Sequence, residues 1–154
     1  MVLPERYFGS LSQTKRRIRK QELTKRAKLS WKDPKAYRPF KTDQGVKTRK
    51  SKYVMDWKRR FPDVKSIEGA SKVTGVPASL IRESYNRGVA AWRTGHRPGA
   101  TKEQWGIARY RSMLLCGKTH YTTDSDLVRK AKKTSKARAW FNKTCKSSPV
   151  KYNK

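Results

Sequence analysis

Cys116, His120 and Cys145, with His96 as a fourth donor, are the residues from which this 154-residue chain would build a transition-metal site. The Cys-x3-His spacing of 116 and 120 is admissible for zinc, but the two paired, short-spaced ligand motifs of a structural zinc site are missing. Cys116 also falls on the apolar stripe of a helix, so core packing accounts for it. Both cysteines are expected as free thiols, and no metal or other cofactor is expected. Hydrolytic chemistry at a magnesium ion needs clustered carboxylates. The eleven acidic residues are scattered. Their one close pair, Asp124 and Asp126, stands where a helix N-terminus favours negative charge. A phosphate-binding glycine loop, a dinucleotide fingerprint and a Gly-x-Ser-x-Gly elbow are all lacking. The expectation is a protein that binds and does not catalyse.

Charge says what it binds. Forty Lys and Arg against eleven Asp and Glu give a formal charge of +29. Self-repulsion at this density opposes a compact lone chain and favours a strongly negative neighbour: polyphosphate first, an acidic protein surface second. The candidate polyanion-binding residues are Lys15, Arg16, Arg17, Arg19, Lys20, Lys25 and Arg26 in the N-terminal segment. Arg93 precedes and Arg97 lies within the His96-Arg97-Pro98-Gly99 loop, and Arg129, Lys130, Lys132 and Lys133 lie toward the C-terminus. A second group of candidates is aromatic. Trp31, Tyr37 and Phe40 lie in a proline-bearing, helix-poor stretch with no apparent core to fill, so they are expected to dock into a partner protein. Trp140, beside Phe141, divides between core and interface.

These residues must be carried by helices, because the alternating β-branched runs of a sheet are absent. The expected class is all-α: a small helical core with extended basic N- and C-terminal arms. Residues 1–50, with sixteen basic and four acidic residues, form the N-terminal arm. Ser12 can cap a helix over 12–29, and Pro34, Pro39 and Gly45 then extend the chain. Residues 51–123 form the core. Tyr53, Val54, Trp57 and Phe61 make one stripe, and Val64, Ile67, Ala70 and Val73 another, closed by Gly75. Leu80, Ile81, Tyr85, Val89 and Trp92 make a third behind Pro77. Thr101 with Gln104 forms a capping box opening a helix with Trp105, Ala108, Ser112, Leu115 and Cys116 on its buried side. Trp92 and Trp105 are expected near the centre. Residues 124–154 read as one helix, with Leu127, Ala131, Thr134, Arg138 and Phe141 on one side, and a tail from Lys146. The order Ala70/Ser71, Gly75-Val76, Leu80-Ile81 also suits a helix-turn-helix, with the alanine one position from its usual place; simple packing of two helices is the favoured reading.

The run Tyr85-Asn86-Arg87-Gly88 through Trp92-Arg93-Thr94-Gly95-His96-Arg97-Pro98-Gly99, within 75–131, resembles a small uncharacterised domain of large double-stranded DNA viruses of algae and amoebae and of some phages. The resemblance implies a viral setting and no reaction. It leads to the expectation of a minor capsid protein that wraps basic arms around neighbouring capsid proteins. The alternative is a non-sequence-specific DNA-binding or genome-condensing protein acting on viral double-stranded DNA. No apolar run reaches the ~18 residues of a membrane span. The opening residues lack the apolar region of a secretory signal, so a reducing compartment is expected; the viral setting that the resemblance implies makes this the host cytoplasm or nucleus, with the virion as the final location. No small-molecule substrate is implied.

Overall fold

In the computed structural model, which describes residues 3–147, all regular structure is helical, and no strand occurs among the described residues. Among the described residues there are eight α-helices: α1 (Gln13–Ala27), α2 (Lys52–Arg60), α3 (Ile67–Thr74), α4 (Ala78–Trp92), α5 (Lys102–Leu114), α6 (Lys118–Tyr121), α7 (Ser125–Ala131) and α8 (Ser135–Ser147), with a long connection over 28–51 between the first two. The chain folds as two units: Met1–Arg49 with Gly88–Trp105, and Lys50–Arg87 with Gly106–Lys154. Helices α4 and α5 each give residues to both.

The first unit corrects the expectation of an extended N-terminal arm. Helix α1 is capped by Ser12, whose Oγ accepts from Lys15 N at 3.3 Å. After it the chain turns back through two 3₁₀ segments, Pro34–Tyr37 and Lys41–Asp43. Proline fixes φ near −65°, which suits such a turn as well as an extended arm. Packing decides between them. Leu23, Phe40 and Trp92 form a buried cluster, with Leu3, Tyr7, Tyr37 and Trp105 packed against it. The partner that residues 34–50 lacked is the indole of Trp92, 52 positions on, which meets the Phe40 ring edge-on at 5.2 Å. Trp92 is therefore central to this unit; Trp105 is only partly buried at its edge.

The second unit holds the larger core, built from Trp57, Ile81, Tyr110, Met113, Leu114, Leu127 and Phe141 among others. Burying rings of this size contributes a few kcal/mol each. The local punctuation follows the sequence. Gly75 ends α3 at φ +78°, a conformation that side-chain-bearing residues rarely adopt. The capping box opens α5, with Thr101 N donating to Gln104 Oε1 at 3.0 Å and Gln104 N to Thr101 Oγ1 at 3.1 Å. The single C-terminal helix, however, is two. Helix α7 stops at Ala131, Thr134 turns its hydroxyl back onto the Ala131 carbonyl at 3.0 Å, and α8 restarts at Ser135. Most of the expected tail lies outside the described residues.

Candidate nucleic-acid interface

Helix α1 has few apolar residues, and its two faces treat their cations differently. Arg16, Arg19, Glu22, Leu23 and Arg26 recur at helical spacing and face the first unit. Arg19 is completely buried. Its guanidinium donates to Thr42 Oγ1 (2.8 Å), Asp43 Oδ1 (2.9 Å), the His96 carbonyl (2.7 Å) and the Tyr7 carbonyl. Burial pulls its pKa below the ordinary guanidinium value, and Asp43 opposes this. Asp43 in turn receives His96 Nε2 at 2.7 Å and Gly99 N at 2.9 Å. Burial alone would raise its pKa, but the His96 hydrogen bond and charge, the Gly99 N–H and the Arg19 charge together hold it below the usual carboxylate value. Arg26 donates to the carbonyls of Ala36 (3.0 Å) and Arg38, and lies 4.4 Å over the Phe40 ring. Arg16 holds the carbonyls of Leu11 (3.0 Å) and Gly9 (2.7 Å) and pairs with Glu5. Arg93 reaches the carbonyls of Arg26 and Leu29 at the C-terminal end of α1, both at 3.3 Å. These four arginines, expected on a polyanion-binding surface, are instead occupied inside the fold. So few carboxylates and so many irregular carbonyls leave guanidinium groups as the fold's donors.

The opposite face is different. Arg17, Lys20, Lys25 and Lys28 run along one stripe and, with Gln21 and Thr24, line a shallow surface groove. Lys15 is exposed at the N-terminal end of the same helix. Among the described residues no carboxylate pairs with any of these five. A second cationic spot lies in the same unit. Arg97 is half-buried, and its pKa is lowered by burial and by the neighbouring charges of Arg49 and Arg6. In the second unit Arg129, Lys130 and Lys133 are exposed and Lys132 half-buried.

The aromatic candidates part company. Phe40 is fully buried in its own unit. Tyr37 is half-buried and donates its hydroxyl to the Trp31 carbonyl. Trp140 donates Nε1 to the Leu114 carbonyl at 2.9 Å and packs on Trp57 and Phe61 within the second unit. Trp31 alone stands out, 57% exposed.

Sequence reasoning assigned Asp124 and Asp126 to a helix terminus. Asp124 does stand at the N-cap of α7, but its side chain makes no cap bond; it is fully buried and accepts from Ser84 Oγ (2.6 Å), Arg109 (3.0 Å) and Arg87 (3.3 Å). Asp126 pairs with Arg87 at 2.8 Å, and this hydrogen bond, against a smaller opposing effect of burial, holds its carboxyl far below the usual range. The α3–turn–α4 segment buries Ala70, Val76 and Ile81, and its exposed Arg82 pairs with Glu68 at 2.7 Å. Helical packing accounts for it without a DNA-reading surface.

The cysteines overturn the expectation of free thiols. Cys116 and Cys145 form a disulfide, Cα atoms 5.2 Å apart, because the end of α5 and the last turn of α8 converge there. His120 adjoins them, with Nε2 3.7 Å from Cys145 Sγ. His96, the fourth ligand considered, belongs to the Asp43 network of the other unit.

Neither the curated proteins nor the solved structures contain a match to this chain. The sequence model of one family does match, over residues 4–134, taking in 75–131 and most of the N-terminal segment as well. On that extent, the chain belongs to DUF5824, a family of unknown function.

Proposed function

We propose that this protein binds nucleic acid through phosphate contacts along the outer face of α1, without reading sequence. One observation carries the proposal: Arg17, Lys20, Lys25 and Lys28 share an exposed stripe and, among the described residues, pair with no carboxylate, while the inner-face arginines of the same helix are occupied. The stripe spans about 16 Å, from 1.5 Å of rise per residue. A rigid helix presenting four cations over that length suits a run of backbone phosphates, and the basic residues elsewhere add to the same field. In the viral setting implied by the sequence resemblance, the natural ligand is the double-stranded genome.

Fluorescence anisotropy with a labelled DNA duplex across salt concentration tests this. Each phosphate neutralised contributes close to −0.9 to the slope of log K against log salt, so the four stripe cations contribute about −3.6. The variant R17Q/K20Q/K25Q/K28Q should lose about that much slope, while duplexes of unrelated sequence bind the wild type within a few-fold of one another. An unchanged slope in the variant, or a near-flat slope in the wild type, would overturn the proposal.

The second reading is a structural protein of the virion that docks on capsid proteins. The exposed indole of Trp31 favours it, since such a ring suits a pocket in a partner. Trp31→Ala lowering incorporation into virions, with DNA binding intact, would support that reading.

A further inference from the structure

We propose that Cys116, His120 and Cys145 are a binding site for a thiophilic divalent cation such as Zn²⁺ when the thiols are reduced, and that the disulfide is the oxidised, metal-free form of the same site. The three candidate ligand atoms lie within 4.8 Å of one another. His120 is already set as a ligand. Its Nδ1 lies 3.0 Å from the Met113 carbonyl, which can only accept, so Nδ1 carries a proton and Nε2 is the ring nitrogen that would ligate. Metal-bound histidines are oriented in the same way, by a carbonyl or carboxylate on the remote nitrogen. The ring is held on two sides, by Tyr121 at 4.5 Å and Phe141 at 4.9 Å between centroids. The 3.7 Å from Nε2 to Cys145 Sγ is close to the edge of a tetrahedron drawn with Zn–S near 2.3 Å and Zn–N near 2.0 Å, roughly 3.5 Å.

The backbone supplies an independent observation. Cys116 has φ +58°, the one side-chain-bearing residue with positive φ among the described residues. It follows the C-cap of α5 in a Schellman turn closed by Gly117 N donating to Ser112 O at 2.8 Å. Glycine is the usual occupant of that position, and a cysteine there carries backbone strain. What the strained cysteine gains is a sulfur facing Cys145 and His120. Cys116 and His120 are buried and Cys145 half-buried, so the site is dry on one side and reachable on the other.

The chemistry balances with an ordinary dithiol reductant. Two electrons and two protons from the dithiol convert the Cys116–Cys145 bond to two thiols, and the reductant closes to its cyclic disulfide. The cation then displaces both thiol protons, His120 binds through Nε2 as a neutral ring with any proton there released on binding, and water completes four-coordination. The site is in the second unit and does not depend on the nucleic-acid reading of α1.

The test uses the full chain, reduced under anaerobic conditions, with Co²⁺ alone as probe. One equivalent should produce a thiolate-to-metal charge-transfer band and the intense visible bands of a four-coordinate ion, and Zn²⁺ should bleach both. The oxidised chain, Cys116→Ser and Cys145→Ser should give neither. A second readout does not depend on the variants folding: in the reduced wild type, one equivalent of Zn²⁺ should slow alkylation of both thiols by at least about tenfold, as coordination removes the free thiolate. No charge-transfer band, or alkylation at the metal-free rate, would overturn the proposal.

Discussion

Replacing Arg19 by methionine should remove the donor that holds the first unit together. The side chain is fully buried, and its partners are one carboxylate, one hydroxyl and two main-chain carbonyls contributed by Tyr7, Thr42, Asp43 and His96. Methionine fills much of the space but satisfies none of them. Asp43 keeps His96 and Gly99 as donors, so it is not left bare. The carbonyls of Tyr7 and His96 do lose a charged donor. Removing one partner of a buried ion pair costs about 3–5 kcal/mol, and the two carbonyls place this case inside that range. For a single transition of a chain this size, the loss corresponds to about 10 °C in Tm. Arg19→Lys should recover only part of it, because an ammonium point charge cannot serve four acceptors arranged around a planar fork. Arg16→Met is the control. Its ion pair is with a largely exposed Glu5, and pairs of that kind are worth less than about 1 kcal/mol. Denaturant or thermal unfolding followed by far-ultraviolet circular dichroism gives the values. A loss under about 1 kcal/mol for Arg19→Met would refute the claim that this arginine organises the unit. The same variant separates architecture from binding: Arg19→Met should leave the DNA salt slope unchanged, whereas Arg17→Gln should lower it by about 0.9.

Acid should destabilise the fold in a defined direction. The carboxyls of Asp43 and Asp126 are depressed relative to the unfolded chain, so their stabilisation is complete above the ordinary carboxylate range and lost as pH falls through their folded values; Tm should drop on acidification, and Asp126→Asn should make the drop shallower. Gly99→Ala should destabilise by about 2–4 kcal/mol in urea unfolding, because Gly99 sits at φ +89° and a β-carbon there runs into the Val46 carbonyl. Reducing the disulfide without metal should cost about 3–4 kcal/mol, from a loop of 29 residues, and added Zn²⁺ should restore part of the lost Tm.

Much of the helical framework is written in local signals. Ser12, the Thr101–Gln104 box and Gly75 mark the ends of α1, α5 and α3 because capping needs only residues close in sequence. The course of residues 34–50 is not written there. Phe40 has only Ala36 and Tyr37 at helical spacing, too few for an apolar stripe; its ring partners, Trp92 and His96, arrive from far along the chain, as does the Arg19–Asp43–His96 network. The disulfide is illegible for the same reason, since nothing in a 29-residue separation says that two helix ends will converge. The α7–α8 break was disguised by Thr134, which continues the stripe at helical spacing yet caps the turn with its hydroxyl.

The candidate interface shows why charge along a sequence is a poor map of charge on a surface. Arg16, Arg17, Arg19 and Lys20 are near neighbours, identical in sign and similar in length, yet two of them face inward and two outward. What separates them is the 3.6-residue period of α1 acting together with the demand for donors inside. The inner positions meet carbonyls of turns and loops, and guanidinium is the side chain with enough donors to serve several at once. Cations taken up in this way are held within a unit and have no role on the surface. Those left on the outer face of α1 meet no carboxylate among the described residues, and their mutual repulsion is relieved by a polyanion or by screening. The helix thus uses one residue class for two physical tasks, and only the outer row is free to act on a ligand.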